Sequence, residues 1–229
     1  MFKKLGFTAV LGLALLSPMA TKPADAQITA QGGGYLLRIK YVKGQTMKYV
    51  ANMTMAQMGQ PMRMNIASKV LDYQKGIATV EAKVTISGGP SKTAPKPSTS
   101  TVKVDTRGRV VGGDSGSMAA TGGPTLPEGP VKIGQSWNGT VKSMGGGNVK
   151  ATYTLAGVKS VAGKQAAEIT VKMNGDMGGS KMSGAGRMML MMADGSLLNS
   201  SINMNFTVPS QSSSSKPQVM KMSMTMQRQ

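Results

Sequence analysis

The chain has 229 residues, 27 lysines and arginines against nine acids, a net charge of +18, no histidine and no cysteine. Without either residue type there can be no disulfide, no His/Cys zinc site and no Ser-His or Cys-His nucleophile-base pair. Three phenylalanines and one tryptophan, with scattered lysines, also argue against nucleic acid, whose readers use stacking aromatics and clustered cations.

The first expected element is a secretory signal helix. Lys3 and Lys4 precede an apolar stretch from Leu5 to Leu16, and Ala24-Asp25-Ala26 fits a small-x-small cleavage site before Gln27. The stretch is shorter than the ~20 apolar residues a membrane span requires, and no later segment is longer. Residues 1–26 are thus read as a signal peptide. The product, residues 27–229, is expected in the periplasm or secreted from a bacterial envelope, with no transmembrane span. Removing Lys3, Lys4, Lys22 and Asp25 leaves a net charge of +16. That charge keeps chains apart in solution, or draws the protein to anionic envelope lipid or polymer.

From there the sequence alternates with period two. Tyr35, Leu37, Ile39 and Tyr41 share one face, as do Met62, Met64, Ile66 and Val70. Ala78, Val80, Ala82, Val84 and Ile86 share another, opposite Thr79, Glu81, Lys83 and Thr85. Such alternation marks strands with one covered face. Gly44, Gly59-Gln60-Pro61, Lys75-Gly76 and Asp194-Gly195 punctuate the runs as turns. At least nine strands are expected. Residues 88–100, 112–130 and 209–217 are rich in Gly, Ser and Pro and read as surface excursions.

The pattern repeats. Residues 76–84 align without gaps on 163–171, and 101–111 on 188–198 at the same offset, so that Gly76 falls on Gly163 and Gly108 on Gly195. Residues 43–47 (KGQTM) match 133–137 (IGQSW). We expect an all-β, internally duplicated domain of antiparallel meanders in a curved sheet, either half-barrel or sandwich-like. Its halves would span about 35–118 and 130–207. The C-terminal strand, 218–227, lies outside both. Lys221 and its polar flanks suggest a closing or edge position, where charge guards against aggregation.

Pro127, Pro130, Val131, Gly134 and Trp137 form a Pro-x-x-Pro-Val-x-x-Gly-x-x-Trp signature. With the opening LLRIKYVKGQTMKYVANMTM (36–55), it resembles an uncharacterised family of exported bacterial all-β proteins rich in methionine. These are distantly similar to the half-barrels of lipoprotein-sorting carriers. The resemblance covers most of 35–207 and implies a curved sheet capped by a short helix, where this chain has the glycine-rich run 112–123. It implies no binding residue.

Methionine is the remaining signal: 22 in all, of which 20 follow residue 26. They cluster at Met53, Met55 and Met58, at Met62 and Met64, at Met188, Met189, Met191 and Met192, and at Met220, Met222, Met224 and Met226. Flexible and apolar, they can fill a core or line a pliable pocket for an apolar ligand. For such a pocket the candidates are Met53, Met55, Met62, Met64, Met220, Met222, Met224, Met226 and Trp137. Thioethers also select Cu(I) and Ag(I), for which Met53, Met55, Met62, Met64, Met222 and Met224 are the candidates. Sacrificial oxidation is a further reading. No catalysis and no cofactor are expected: Asp105 and Asp194 read as turn residues, and Glu81 and Glu168 as partners of cross-strand lysines.

Overall fold

The computed structural model describes residues 28–56, 60–89, 95–113, 123–142, 148–177, 180–208 and 217–229. The expected signal helix lies outside them, as do residues 90–94, 114–122 and 209–216 of the three Gly/Ser/Pro-rich runs and Met58 of the first methionine cluster. The protein is all-β. A hairpin, β1 (Ile28–Gln31) and β2 (Gly34–Leu37), precedes a first meander: β3 (Thr46–Met55), β4 (Met62–Gln74), β5 (Ile77–Gly88), β6 (Ser98–Asp105) and β7 (Val110–Gly113). A second meander follows: β8 (Ser136–Lys142), β9 (Asn148–Val161), β10 (Lys164–Met177), β11 (Ser180–Met191) and β12 (Leu197–Val208). β13 (Gln218–Arg228) ends the chain. No helix among the described residues is long and apolar enough to cross a membrane.

All but the first hairpin form one antiparallel sheet in the order β7-β6-β5-β4-β3-β13-β12-β11-β10-β9-β8. Of the two arrangements expected, half-barrel or sandwich-like, the meanders take the single curved sheet and lie side by side rather than stacked. Of the two positions expected for the C-terminal strand, closing or edge, it takes the closing one, at the centre, paired with β12 on one side and β3 on the other. Lysine did not mark an edge because only one face of the sheet is covered. Lys221 projects on the water-facing side, beside Asn205, where a central strand tolerates charge.

The two meanders use the same devices. The β4–β5 turn has Lys75 and Gly76 at φ 50° and 79°; the β9–β10 turn has Ala162 and Gly163 at 48° and 75°. Both are two-residue loops with the paired positive φ that matches strand twist. At the entry to each meander, the Gly44 amide donates to the Val70 carbonyl (2.8 Å) and the Gly134 amide to that of Leu155 (2.7 Å). The Gln45 side-chain oxygen accepts from the Val42 amide (3.1 Å), and that of Gln135 from the Lys132 amide (3.0 Å). The register slips by one residue at Leu71 in β4 and at Ala156 in β9, then at Val111 in β7 and at Leu198 in β12.

The sheet is strongly curved, and two hydrogen bonds measure the curvature. The Ile39 amide donates to the Thr106 carbonyl (2.7 Å) in the β6–β7 turn, and the Lys40 amide to the Asp194 carbonyl (2.8 Å) in the β11–β12 turn. Along a flat sheet, six strand spacings would separate those turns by roughly 29 Å. Neighbouring amides of one extended segment can reach both only if the turns lie within roughly 10 Å. The covered face is therefore the concave one.

Two straps fill one end of the concavity. The first is the β1–β2 hairpin with residues 38–41, contributing the buried Ile28, Leu37, Ile39 and Tyr41. The second is residues 123–131, contributing Leu126 and Val131. Composition suggested a surface excursion there, yet Pro124, Leu126 and Pro127 are buried. The segment is held by its backbone. Arg107 Nε donates to the Leu126 carbonyl (2.8 Å), an Arg38 guanidinium nitrogen to that of Pro127 (2.8 Å), and Trp137 Nε1 to that of Thr125 (2.7 Å). Tyr35 and Val131 exchange amide bonds of 2.7 and 3.0 Å. The Pro-Pro-Val-Gly-Trp signature thus fastens an extended strap across the sheet; the capping helix expected at 112–123 falls mostly outside the described residues.

Candidate functional site

The straps cover only one end of the concave face. Along β3 the inward side chains pass from buried Met47, Tyr49 and Ala51 to half-buried Met53 and Met55. Along β4 they pass from Val70, Ser68 and Ile66 to half-buried Met64 and Met62, and along β5 from Ala78, Val80 and Ala82 to half-buried Val84 and Ile86. On β13 Met226 is buried while Met224, Met222 and Met220 are half-buried. On β10 the series is Ile169, Val171, then half-buried Met173. On these five strands the face opens in the same direction, and methionine occupies much of the opening; on β12 and β11 the inward Met204 and Met182 stay buried.

The register brings the eight methionines read from the sequence onto three adjacent strands. Met224 lies opposite Met53, which lies opposite Met62. Met222 lies opposite Met55, and Ala51 separates Met226 from Met64. Directly opposed side chains have Cβ atoms about 4.5–5.5 Å apart, so these rows are continuous. Trp137 is not among them. It sits on β8, the far edge, stacked on Tyr153 at 5.7 Å and 25°, with its N–H committed to the strap.

Other members escaped sequence reading. Met204 and Phe206 on β12 lie opposite Met222 and Met220, and Met173 on β10 faces Gly184 of β11. The alternation Ile202-x-Met204-x-Phe206 carried the signal, but neither residue stands in a methionine cluster. Met188 faces inward opposite Ile169, while Met189 pairs with Glu168 on the other face. A run of four methionines among five residues therefore serves both sides of its strand.

The convex face is polar: Asn52, Thr225, Ser201, Arg187, Thr170 and Thr154 follow one another across six strands. Exposed Lys48, Lys83, Lys150, Lys172 and Lys221 surround them. Glu168 is buried there, held by Lys159 at 2.6 Å and Arg187 at 3.4 Å. Two hollows of about 340 and 140 Å³ open on this side, lined mainly by Asn, Ser, Thr, Lys and Gln.

No protein-family model and no curated protein matches the chain.

The closed end carries the electrostatics. Arg228, on the inward face of the last strand, reaches Asp194 Oδ2 (3.0 Å), Met191 Sδ (3.1 Å) and the Ser196 hydroxyl. Asp194 Oδ1 accepts from the Ser196 amide (2.9 Å) and hydroxyl (2.5 Å). Asp105 makes the matching turn, accepting from the amides of Arg107 and Arg109, both at 2.9 Å. Burial alone would raise the Asp194 pKa, but the Ser196 bonds and Arg228 outweigh it and hold the carboxyl below its ordinary value. Burial pushes the Tyr49 phenol up to about 12, so it stays protonated at neutral pH.

The clasp has a pH signature. A carboxylate depressed on folding contributes stability that is fully present above its unfolded pKa, about 3.9, and is lost as pH falls through the lower folded value. Asp194→Asn is expected to lower stability at pH 7 by about 2 kcal/mol, as for loss of charged hydrogen bonds. The gap to the parent should close below that window. Urea midpoints of both proteins at pH 7 and pH 3 check this; an equal gap at both pH values would contradict it.

Proposed function

We propose that this is an exported, non-enzymatic binding protein of the bacterial envelope, which holds the apolar part of an anionic amphiphile such as an acyl chain. The observation that carries the reading is the graded opening of the concave face. A core methionine would be covered like Met47 or Met226, yet Met53, Met55, Met62, Met64, Met220, Met222 and Met224 are only half-buried. Contiguous apolar surface left open on an otherwise polar molecule marks an interaction site. Flexible thioether side chains repack around varied chains.

The charge of +16 after residue 26 favours an anionic head group, and the exposed lysines of the convex face suit an anionic envelope surface. Export rests on Lys3, Lys4, the Leu5 to Leu16 run and Ala24-Asp25-Ala26. The matched turns, Gly-Gln entries and register slips support two copies of one five-stranded unit.

Titration of the delipidated protein with a fluorescent long-chain fatty acid tests the site. Met53→Gln combined with Met222→Gln places amides in the trough without changing its volume much. It is expected to weaken binding at least tenfold, whereas leucine at both positions keeps it. Failure of the parent to bind the probe, or equal binding by the glutamine variant, would sink the reading.

A further inference from the structure

The row one step inside the Met220–Phe206–Met182 row has a second property. Met55 on β3, Met222 on β13 and Met204 on β12 occupy directly opposed positions on three consecutive strands. The next position, on β11, is Gly184, and beyond it on β10 comes Met173. Four methionines thus stand in one row across five strands, interrupted by a residue with no side chain.

The gap at Gly184 is filled from both sides. A Cβ placed there would meet Met204 Cγ at 3.0 Å and Met173 Cε at 3.3 Å. Each of those carbons is bonded to its sulfur, so the two thioethers lean over the same glycine. Met222 stands directly opposite Met204 on the next strand, within side-chain reach of it. Met55, Met173 and Met222 are half-buried, which leaves an approach from solvent. Among the described residues no group of three or more His, Cys, Asp or Glu is placed to hold a metal, so a hard cation finds no such set. Neutral thioethers without a charged oxygen ligand favour a soft monovalent ion.

We propose that Met173, Met204 and Met222 form a thioether site for Cu(I) or Ag(I) above Gly184. The site needs only the sulfurs and does not rest on the amphiphile reading. Met→Leu substitution separates the two, since leucine preserves an apolar trough and removes the ligand atoms.

The test uses Ag⁺, which undergoes no redox change, with methionine methyl groups labelled with ¹³C. One equivalent is expected to shift the methyl resonances of Met173, Met204 and Met222 in slow exchange, while those of Met47 and Met189 stay in place. Competition with a chromogenic Cu(I) chelator should show Met204→Leu with Met222→Leu binding at least tenfold more weakly, and Met189→Leu within twofold of the parent. Uniform shifts over many equivalents, no shifts with Ag⁺, or parent-like affinity in the double variant would overturn the site. If the double variant does not fold, the methyl spectra of the parent still decide.

Discussion

Removing residues 218–229 is expected to abolish cooperative folding, although it takes only the chain's last strand. A terminal strand at a sheet edge is often dispensable. Here β13 is laddered to β12 from Gln218 opposite Val208 to Gln227 opposite Asn199, and to β3 from Met222 opposite Met55 to Arg228 opposite Tyr49. Among the described residues, its loss severs the only strand pairing between the two meanders in the large sheet and exposes the edges of β3 and β12. It also removes buried Met226 and the Arg228 clasp onto Asp194. Domains of this size are stable by about 5–15 kcal/mol, and loss of two ladders with their apolar face exceeds that margin. Urea unfolding followed by Trp137 fluorescence should lose its sigmoid shape. A synthetic peptide of residues 217–229 should restore it. A truncated chain with a parent-like midpoint would show that the meanders hold together without β13.

The second large effect is at Gly195. Its φ of +68° already disfavours a side chain, at a cost of roughly 1–2 kcal/mol. More important is the space: a Cβ would lie 1.9 Å from the Arg38 carbonyl oxygen and 3.0 Å from Ile39 Cα, both backbone of the strap. Those atoms cannot rotate away, and moving them breaks the Lys40–Asp194 bond that holds the strap to the second meander. Gly195→Ala is expected to lose more than about 3 kcal/mol. Gly163→Ala is the control. Its φ of +75° is similar, but nothing lies within 4 Å of the added carbon, so only the conformational cost of about 1 kcal/mol applies. Equal losses in the two variants would mean that the strap does not press on the turn.

The strands and the sidedness of the methionines were legible because a period of two needs no tertiary information. Met222 and Met224 share a face with Met53 and Met62 whatever the strand order, provided each strand has its apolar face inward. The turns at Gly76 and Gly163 were legible for a similar reason, since paired positive φ is a local demand. Strand order was not. Lys221 speaks about which face meets water and is silent about which neighbour pairs, so it could not choose between the closing and the edge position. The 123–131 strap was also hidden. Its Pro and Gly content describes an extended segment, and burial of Leu126 comes from partners far away in sequence, Arg38 and Arg107. Met173 and Met204 joined the candidate site only once register placed them on either side of Gly184.

A sheet whose two halves meet through one strand that follows both of them in sequence cannot close early. Each meander can pair internally, but the facing edges of β3 and β12 lack their partner in the large sheet until β13 arrives. Until then each half carries an open edge of main-chain donors and acceptors, the geometry that recruits chaperones or a second chain.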